Sequence, residues 1–107
     1  MRAVRGVVPM LQSDANGRLP QHLRRLIEAE LAAYRRLRNC RHGRRLERIA
    51  AGLALLGPEE EELVRRRYLS RNTSTNEMVM AQLRLGRRAY YRRRDRALAT
   101  IAAGMGF

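Results

Sequence analysis

Three stretches of the chain carry residues able to do chemistry. The densest is Arg84–Leu98, RLGRRAYYRRRDRAL, with seven arginines, two adjacent tyrosines and one acid in fifteen residues. Guanidinium is planar and always charged, and its fork bonds two acceptors at once, either phosphate oxygens or the O6/N7 edge of guanine. The second stretch is Cys40-Arg41-His42. A thiol and an imidazole two residues apart could begin a metal site, but such sites need three or four ligands and the only other histidine is His22. A Cys–His nucleophile pair needs an orienting third group, and none is in sight. The third is Glu59–Glu62, directly after Pro58. Side by side at a helix start, these carboxylates read as complements to the helix dipole rather than as an acid/base pair in a pocket.

Composition narrows the field further. A length of 107 residues holds one small domain, or a domain with an extra helix or two, and a modest core that dimerisation would enlarge. Net charge is +13, and all 23 basic residues are arginine. A GC-rich coding bias produces the same arginine usage, so the charge carries more weight than the choice of residue. A surface this positive repels itself unless a polyanion is near, nucleic acid first and an anionic membrane second. One cysteine excludes an internal disulfide framework and suits a reducing cytosol. No apolar run approaches bilayer length. The opening MRAVRGVVPML has too short an apolar run for a signal peptide and lacks a small-residue cleavage site. The expectation is a cytoplasmic protein with no catalytic residue, no metal and no cofactor.

The elements that must position the arginines are all helical, and no strand pattern is present. Residues 1–19 read as a flexible segment, because Pro9 breaks the strip of Val7, Val8, Met10 and Leu11, and SDANGRLP is rich in turn residues. A two-helix region spans 20–56. Pro20 suits the first helical position, and Leu23, Leu26, Ile27, Leu31, Tyr34 and Leu37 recur at steps of three and four. That stripe needs a partner, either the next helix or the same helix of a second subunit. Arg44–Leu56 forms the next helix with Leu46, Ile49, Ala50, Leu53 and Leu56 inward, and Gly52 permits a close helix crossing. Gly57-Pro58 stops and restarts the chain.

Residues 57–107 read as a DNA-binding unit. PEEEELVRRRYL forms a third helix with Leu63, Val64 and Tyr68 inward, and Glu61–Arg65 and Glu62–Arg66 as i, i+4 pairs. SRNTST is a polar loop whose Ser74 or Thr75 caps a short helix, Glu77–Leu83, in which Met78, Val79 and Leu83 are apolar. Leu85-Gly86 makes a tight turn, and a basic helix follows until Gly104 and Gly106 end it, with GMGF frayed. On that helix Tyr90, Ala97, Leu98 and Ile101 share one side, leaving Arg87, Arg88, Tyr91, Arg92 and Asp95 on the others. Leu83, Leu85 and Tyr90 close a small core around the turn. A short helix, a turn and a basic helix in this order make a helix-turn-helix, in which the first helix braces the second in the major groove.

The segment Gly57–Ala102, with GPEEEELVRRRYL and then LGRRAYYRRRDRALATIA, resembles the region-four helix-turn-helix of sigma factors. It is most similar to the version in phage-encoded regulators of the ArpU/RinA group. IEAELAAYRRLR and RRLERIAAGLALL extend the likeness back to about Leu23. Arg87, Arg88 and Ala89 stand where that family usually has Ser or Thr at the start of the recognition helix. The resemblance implies control of late phage genes by binding double-stranded promoter DNA in the bacterial cytoplasm. It leaves contact with RNA polymerase and a homodimer open. Position by position, it makes Tyr90 the buried aromatic, Arg87, Arg88, Ala89, Tyr91 and Arg92 the groove-facing set, and Arg93 and Arg96 phosphate contacts. Arg88 and Arg92 are the expected readers of base edges. Two other classes stay open: a small-terminase-like DNA-packaging subunit, and a basic nucleic-acid binder without sequence readout.

Overall fold

Every regular element among the described residues is helical. The computed structural model describes residues 19–38 and 43–107. All but Leu19 of the flexible stretch expected over residues 1–19, and Cys40 and His42, lie outside them. Helix α1 runs Gln21–Leu37, with Pro20 one position earlier than expected, as an extended N-cap (φ −55°, ψ 140°) whose carbonyl accepts from Arg24 N. Helix α2, Gly43–Leu53, stops three residues short of the expected Leu56. Its end tightens through Leu55 N to Gly52 O and Leu56 N to Leu53 O, and Gly57 is extended ahead of Pro58, as a residue before proline must be.

Pro58 opens helix α3, Pro58–Val64, with Glu59, Glu60 and Glu61 in its first turn. The helix then widens into a π-helical turn over Arg65–Leu69, closed by Ser70 N to Arg65 O at 2.8 Å. That widening was not expected from the sequence. Arg65 and Arg66 both bond Glu62, so of the two expected pairs only Glu62–Arg66 forms, and Arg65 turns to Glu62 rather than Glu61. Helix α4 is Asn76–Leu83, and helix α5 is Arg87–Met105.

Among the described residues the main core joins every helical segment except α4. Ile27 and Leu31 of α1, Ile49 of α2, Val64 and Tyr68 of the third segment, and Leu98, Ile101 and Ala102 of α5 are buried together. Two glycines let α2 and α5 touch backbone to backbone. A Cβ on Gly52 would stand 2.5 Å from Ile101 O, and one on Gly104 would stand 2.5 Å from Gly52 Cα. Gly52 therefore permits the close crossing that its place in the sequence suggests. Gly104 is its partner rather than a helix end.

The C-terminus is packed, which corrects the expected fray. Met105 is helical and 5% exposed, and Phe107 packs against the core. Gly106 sits in the left-handed region (φ 99°), with its N–H on Ala103 O and the Phe107 N–H on Ala102 O, a closing pattern that only glycine adopts freely. Arg48 of α2 donates from Nε and one terminal nitrogen to Met105 O at 3.1 and 2.8 Å, placing a cation at the negative end of α5. Leu19, expected in the flexible segment, is 4% exposed in this core.

Candidate nucleic-acid interface

The arginine-rich helix is held by α4 through a short, well-bonded turn. Thr75 caps α4, its Oγ1 accepting from Met78 N at 3.2 Å. Ser74, the other expected cap, is instead buried, its N–H on Arg66 O. At the far end Arg84 N bonds Ala81 O and Leu85 N bonds Met80 O, the pattern that ends helices with a left-handed residue. That residue is Arg84 (φ 56°), whereas Gly86 is extended (φ −70°, ψ 165°) and caps α5 without a side chain. The turn thus takes its strain at an arginine rather than at the glycine of Leu85-Gly86.

Beneath the turn a second, smaller core forms from Leu63, Val79 and Tyr90, with Met80, Leu83, Leu85 and Tyr91 around it. The closure expected of Leu83, Leu85 and Tyr90 is present. Val79 fills it while Met78 is 51% exposed. A polar bolt joins three elements above this core. Asn76 Oδ1, at the start of α4, accepts from the Tyr90 hydroxyl at 2.6 Å and from Arg67 Nε at 2.8 Å. A second link runs from Arg66 to Gln82 Oε1 at 3.1 Å. Burial pushes the Tyr90 phenol up to about 12.

On α5, Arg88, Ala89, Arg92 and Arg96 are exposed, and their i, i+1, i+4, i+8 spacing lays them along one stripe. Arg87 is also exposed, but lies on the side of Tyr91, its guanidinium carbon 5.9 Å from that ring's centre. Tyr91 is half-buried, edge-on to Tyr90 at 5.1 Å and covered by Arg94 at 4.7 Å. Arg93 is half-buried and reaches Glu59 at 3.6 Å, so α3's acidic first turn competes for it with any phosphate. The structure therefore separates the seven predicted residues. Four form the exposed stripe, and Arg87, Tyr91 and Arg93 flank it.

Asp95 corrects the expected face assignment. It is 8% exposed beside Arg94 at 9%, and Arg94 donates to its Oδ1 from Nε and a terminal nitrogen at 3.0 and 2.8 Å. The seam is wider than the apolar residues alone suggest, because the chain entering α1 covers it: Leu19, Pro20, Gln21 and Arg24 line a groove with Tyr91, Arg94 and Asp95. Burial works against the charge on Arg94, but the hydrogen bond and charge of Asp95 outweigh it and raise its pKa. Nearby, burial and a 2.6 Å hydrogen bond to Glu28 push the Tyr68 phenol well above its ordinary range.

Sequence reasoning missed Asn76, Arg67 and Arg94 as positioning residues. Asp95 is the only acid on the helix, but its pairing with Arg94 depends on burial that the sequence does not display. The Asn76 contacts depend on the turn geometry and had no readable signal.

The stripe lies at a helix start that lacks acids. With Arg87 and Arg88 in its first turn, α5 adds side-chain charge to the positive end of its own dipole. Both attract an anion. Among the described residues no three His, Cys, Asp or Glu side chains are grouped to hold a metal, and no helix is long and apolar enough to cross a membrane. Compared with protein-family models, curated proteins and solved structures, the chain finds no match.

Proposed function

We propose that this chain is a sequence-specific, double-stranded-DNA-binding regulator of transcription. Its α4–turn–α5 unit acts as a helix-turn-helix of the sigma region-four kind. The observation that carries the reading is the exposed stripe of Arg88, Ala89, Arg92 and Arg96 on a helix bolted to its neighbour through Asn76. A major groove about 12 Å wide admits one helix, and a rigid brace turns mobile guanidinium groups into readers of a fixed pattern. Arg88 and Arg92 reach base edges, Arg96 and Arg93 the phosphates, and Arg87 and Tyr91 lie at the groove's margin. Work on late phage genes in the bacterial cytoplasm, beside RNA polymerase, rests on the ArpU/RinA resemblance alone.

Selection of random duplex DNA on the purified protein at about 150 mM salt tests the reading, because counterion-driven binding is weakened there. A single enriched motif is expected, and a repeated half-site would also reveal a dimer. Binding that fades with salt and enriches nothing would replace the regulator with a non-specific nucleic-acid binder.

A further inference from the structure

A second arginine cluster lies at the other end of α5. Arg35, Arg36 and Arg38 crowd the last turn of α1 and its cap, and Arg44 and Arg45 the first turn of α2. Arg36, Arg38 and Arg44 are exposed and Arg35 is half-exposed. The one ion pair here among the described residues is Arg45 with Glu30 at 3.0 Å, which ties α2 alongside α1. Glu47 is the only other acid close by in sequence.

Helix dipoles explain only half of this cluster. Arg35 and Arg36 sit at the negative end of α1, where cations are favoured. Arg44 and Arg45 sit at the positive end of α2, which has no acid in its first turn. The same Gly-Arg-Arg opening, Gly43-Arg44-Arg45 and Gly86-Arg87-Arg88, begins α2 and α5. By contrast α3 carries three glutamates in its first turn and α4 one, Glu77, while α1 carries neither acid nor arginine pair there. Paired arginines in the first turn thus set α2 and α5 apart from the starts of α1, α3 and α4. A local rule broken in this way marks a site whose cost a ligand relieves.

The two clusters are centred on opposite ends of α5. Arg48 holds the carbonyl of Met105 at the end of α5, one helical turn from Arg44, while Arg88 lies at its start. At 1.5 Å per residue α5 is roughly 28 Å long, more than three Debye lengths at physiological salt. Phosphates against Arg88 are screened from Arg44, while those against Arg96, roughly 14 Å from Met105 along the helix, are screened less.

We propose that Arg35, Arg36, Arg38 and Arg44 form a second contact surface for the phosphate backbone of double-stranded DNA. One molecule then holds two duplex segments, one at each end of α5. The surface favours a phosphate backbone over an anionic bilayer, because membrane-surface helices carry an apolar face beside their basic one. Among the described residues the exposed large apolar side chains are Leu26, Leu55 and Met78, each at least nine residues from these four arginines in sequence, with Leu55 beside Gly104. The inference does not require the α4–α5 unit to read sequence, only to bind duplex.

The test is capture of a fluorescent duplex by the full-length protein already bound to a bead-tethered duplex, at about 150 mM salt. Wild type captures the second duplex. The variant Arg35→Ala, Arg36→Ala, Arg38→Ala, Arg44→Ala captures at least tenfold less, while still holding the tethered one. Its log–log salt slope for duplex binding is shallower by about 3 to 4, at roughly 0.9 per phosphate contact. Should that variant unfold, as read by its helical circular dichroism, Arg36→Ala with Arg44→Ala gives a slope shallower by about 2. Capture that persists in the variants, as a dimer bridging through its two α5 helices would give, overturns the proposal. So does a wild type that never captures a second duplex, or a cluster that binds phosphatidylserine vesicles and not DNA. Failure of sequence reading is distinguishable: it shows as no enriched motif while capture still depends on these four arginines.

Discussion

The Tyr90 hydroxyl donates to Asn76 Oδ1 at 2.6 Å, and Arg67 Nε donates to the same oxygen at 2.8 Å. One side-chain oxygen thus fastens α5, the start of α4 and the π-helical turn. Asn76→Ala leaves both donors without their acceptor and is expected to cost about 1–3 kcal/mol, whereas Tyr90→Phe removes one donor and costs about 1 kcal/mol. Asn76→Asp keeps the acceptor and retains most of the stability. In a urea-denaturation double-mutant cycle the two sites couple; additive losses would show that the bond contributes nothing.

Alkali reads the same phenol. Burial raises the folded-state pKa of Tyr90 to about 12, against about 10 for an unperturbed tyrosine. The unfolded chain therefore loses this proton first. Stability is fully present below pH 10 and falls as pH rises from about 10 through 12. Tyr68, also raised by burial, acts in the same direction. Denaturation midpoints measured from pH 8 to 12 fall at the alkaline end, and Tyr90→Phe flattens part of that fall. A flat wild-type profile would contradict the burial of these phenols.

The crossing of α2 and α5 sets a steric prediction against a propensity one. Alanine is the better helix former by about 1 kcal/mol, so Gly104→Ala on an open helix would stabilise. Here the new Cβ would stand 2.5 Å from Gly52 Cα and 2.9 Å from Leu55 Cδ1. Backbone cannot yield as a side chain does, and a loss of about 1–3 kcal/mol or more is expected. Gly57→Ala, with nothing within 4 Å of its Cβ, serves as control and changes stability by less than about 0.5 kcal/mol. Equal effects at the two glycines would mean the helices do not approach this closely.

Arg84 offers the opposite sign. It holds a left-handed backbone (φ 56°) that costs a side-chain-bearing residue roughly 1–2 kcal/mol. Arg84→Gly relieves that strain, less the greater freedom glycine gains in the unfolded chain, for a net stabilisation of up to about 1 kcal/mol. Thermal melting at matched ionic strength checks it, and a lower midpoint would mean that the arginine contributes more through contacts than its backbone costs.

Periodicity made the helices and most of the core legible. Ile27, Leu31, Ile49, Leu63, Val64, Tyr68, Tyr90, Leu98 and Ile101 are inward both by spacing and in the structure. Period fails where burial comes from something other than an apolar stripe. Asp95 is inward because Arg94 neutralises it and Leu19 and Pro20 help cover it, a contact between residues far apart in sequence. Gly104 and Met105 read as an ending because glycine usually is one, and only the approach of Gly52 makes the helix continue. In α4, barely two turns long, the pattern did not decide between Met78 and Val79 for the inward face. The candidate stripe on α5 was legible as charge. Which arginines stay free, with Arg93 drawn to Glu59 and Arg94 to Asp95, was not.

On the proposed reading, the arginines of α5 divide by the work each does on DNA. Arg88 and Arg92 are one turn apart and exposed near the start of α5, and the proposal gives them the base edges. Arg96, a further turn along, lines a groove with Gly57, Pro58, Glu59 and Glu60, and the proposal gives it a phosphate. Arg88→Ala or Arg92→Ala is expected to cost roughly 1–3 kcal/mol on the selected site and little on random duplex. Arg96→Ala weakens both alike and makes the salt slope shallower by about 1. Arg93→Ala changes affinity less than Arg96→Ala, because its partner Glu59 already offsets part of its charge. Fluorescence anisotropy on the selected and a scrambled duplex over a salt series separates these outcomes. If all four variants lose affinity equally on both duplexes, α5 grips the backbone and no base is read.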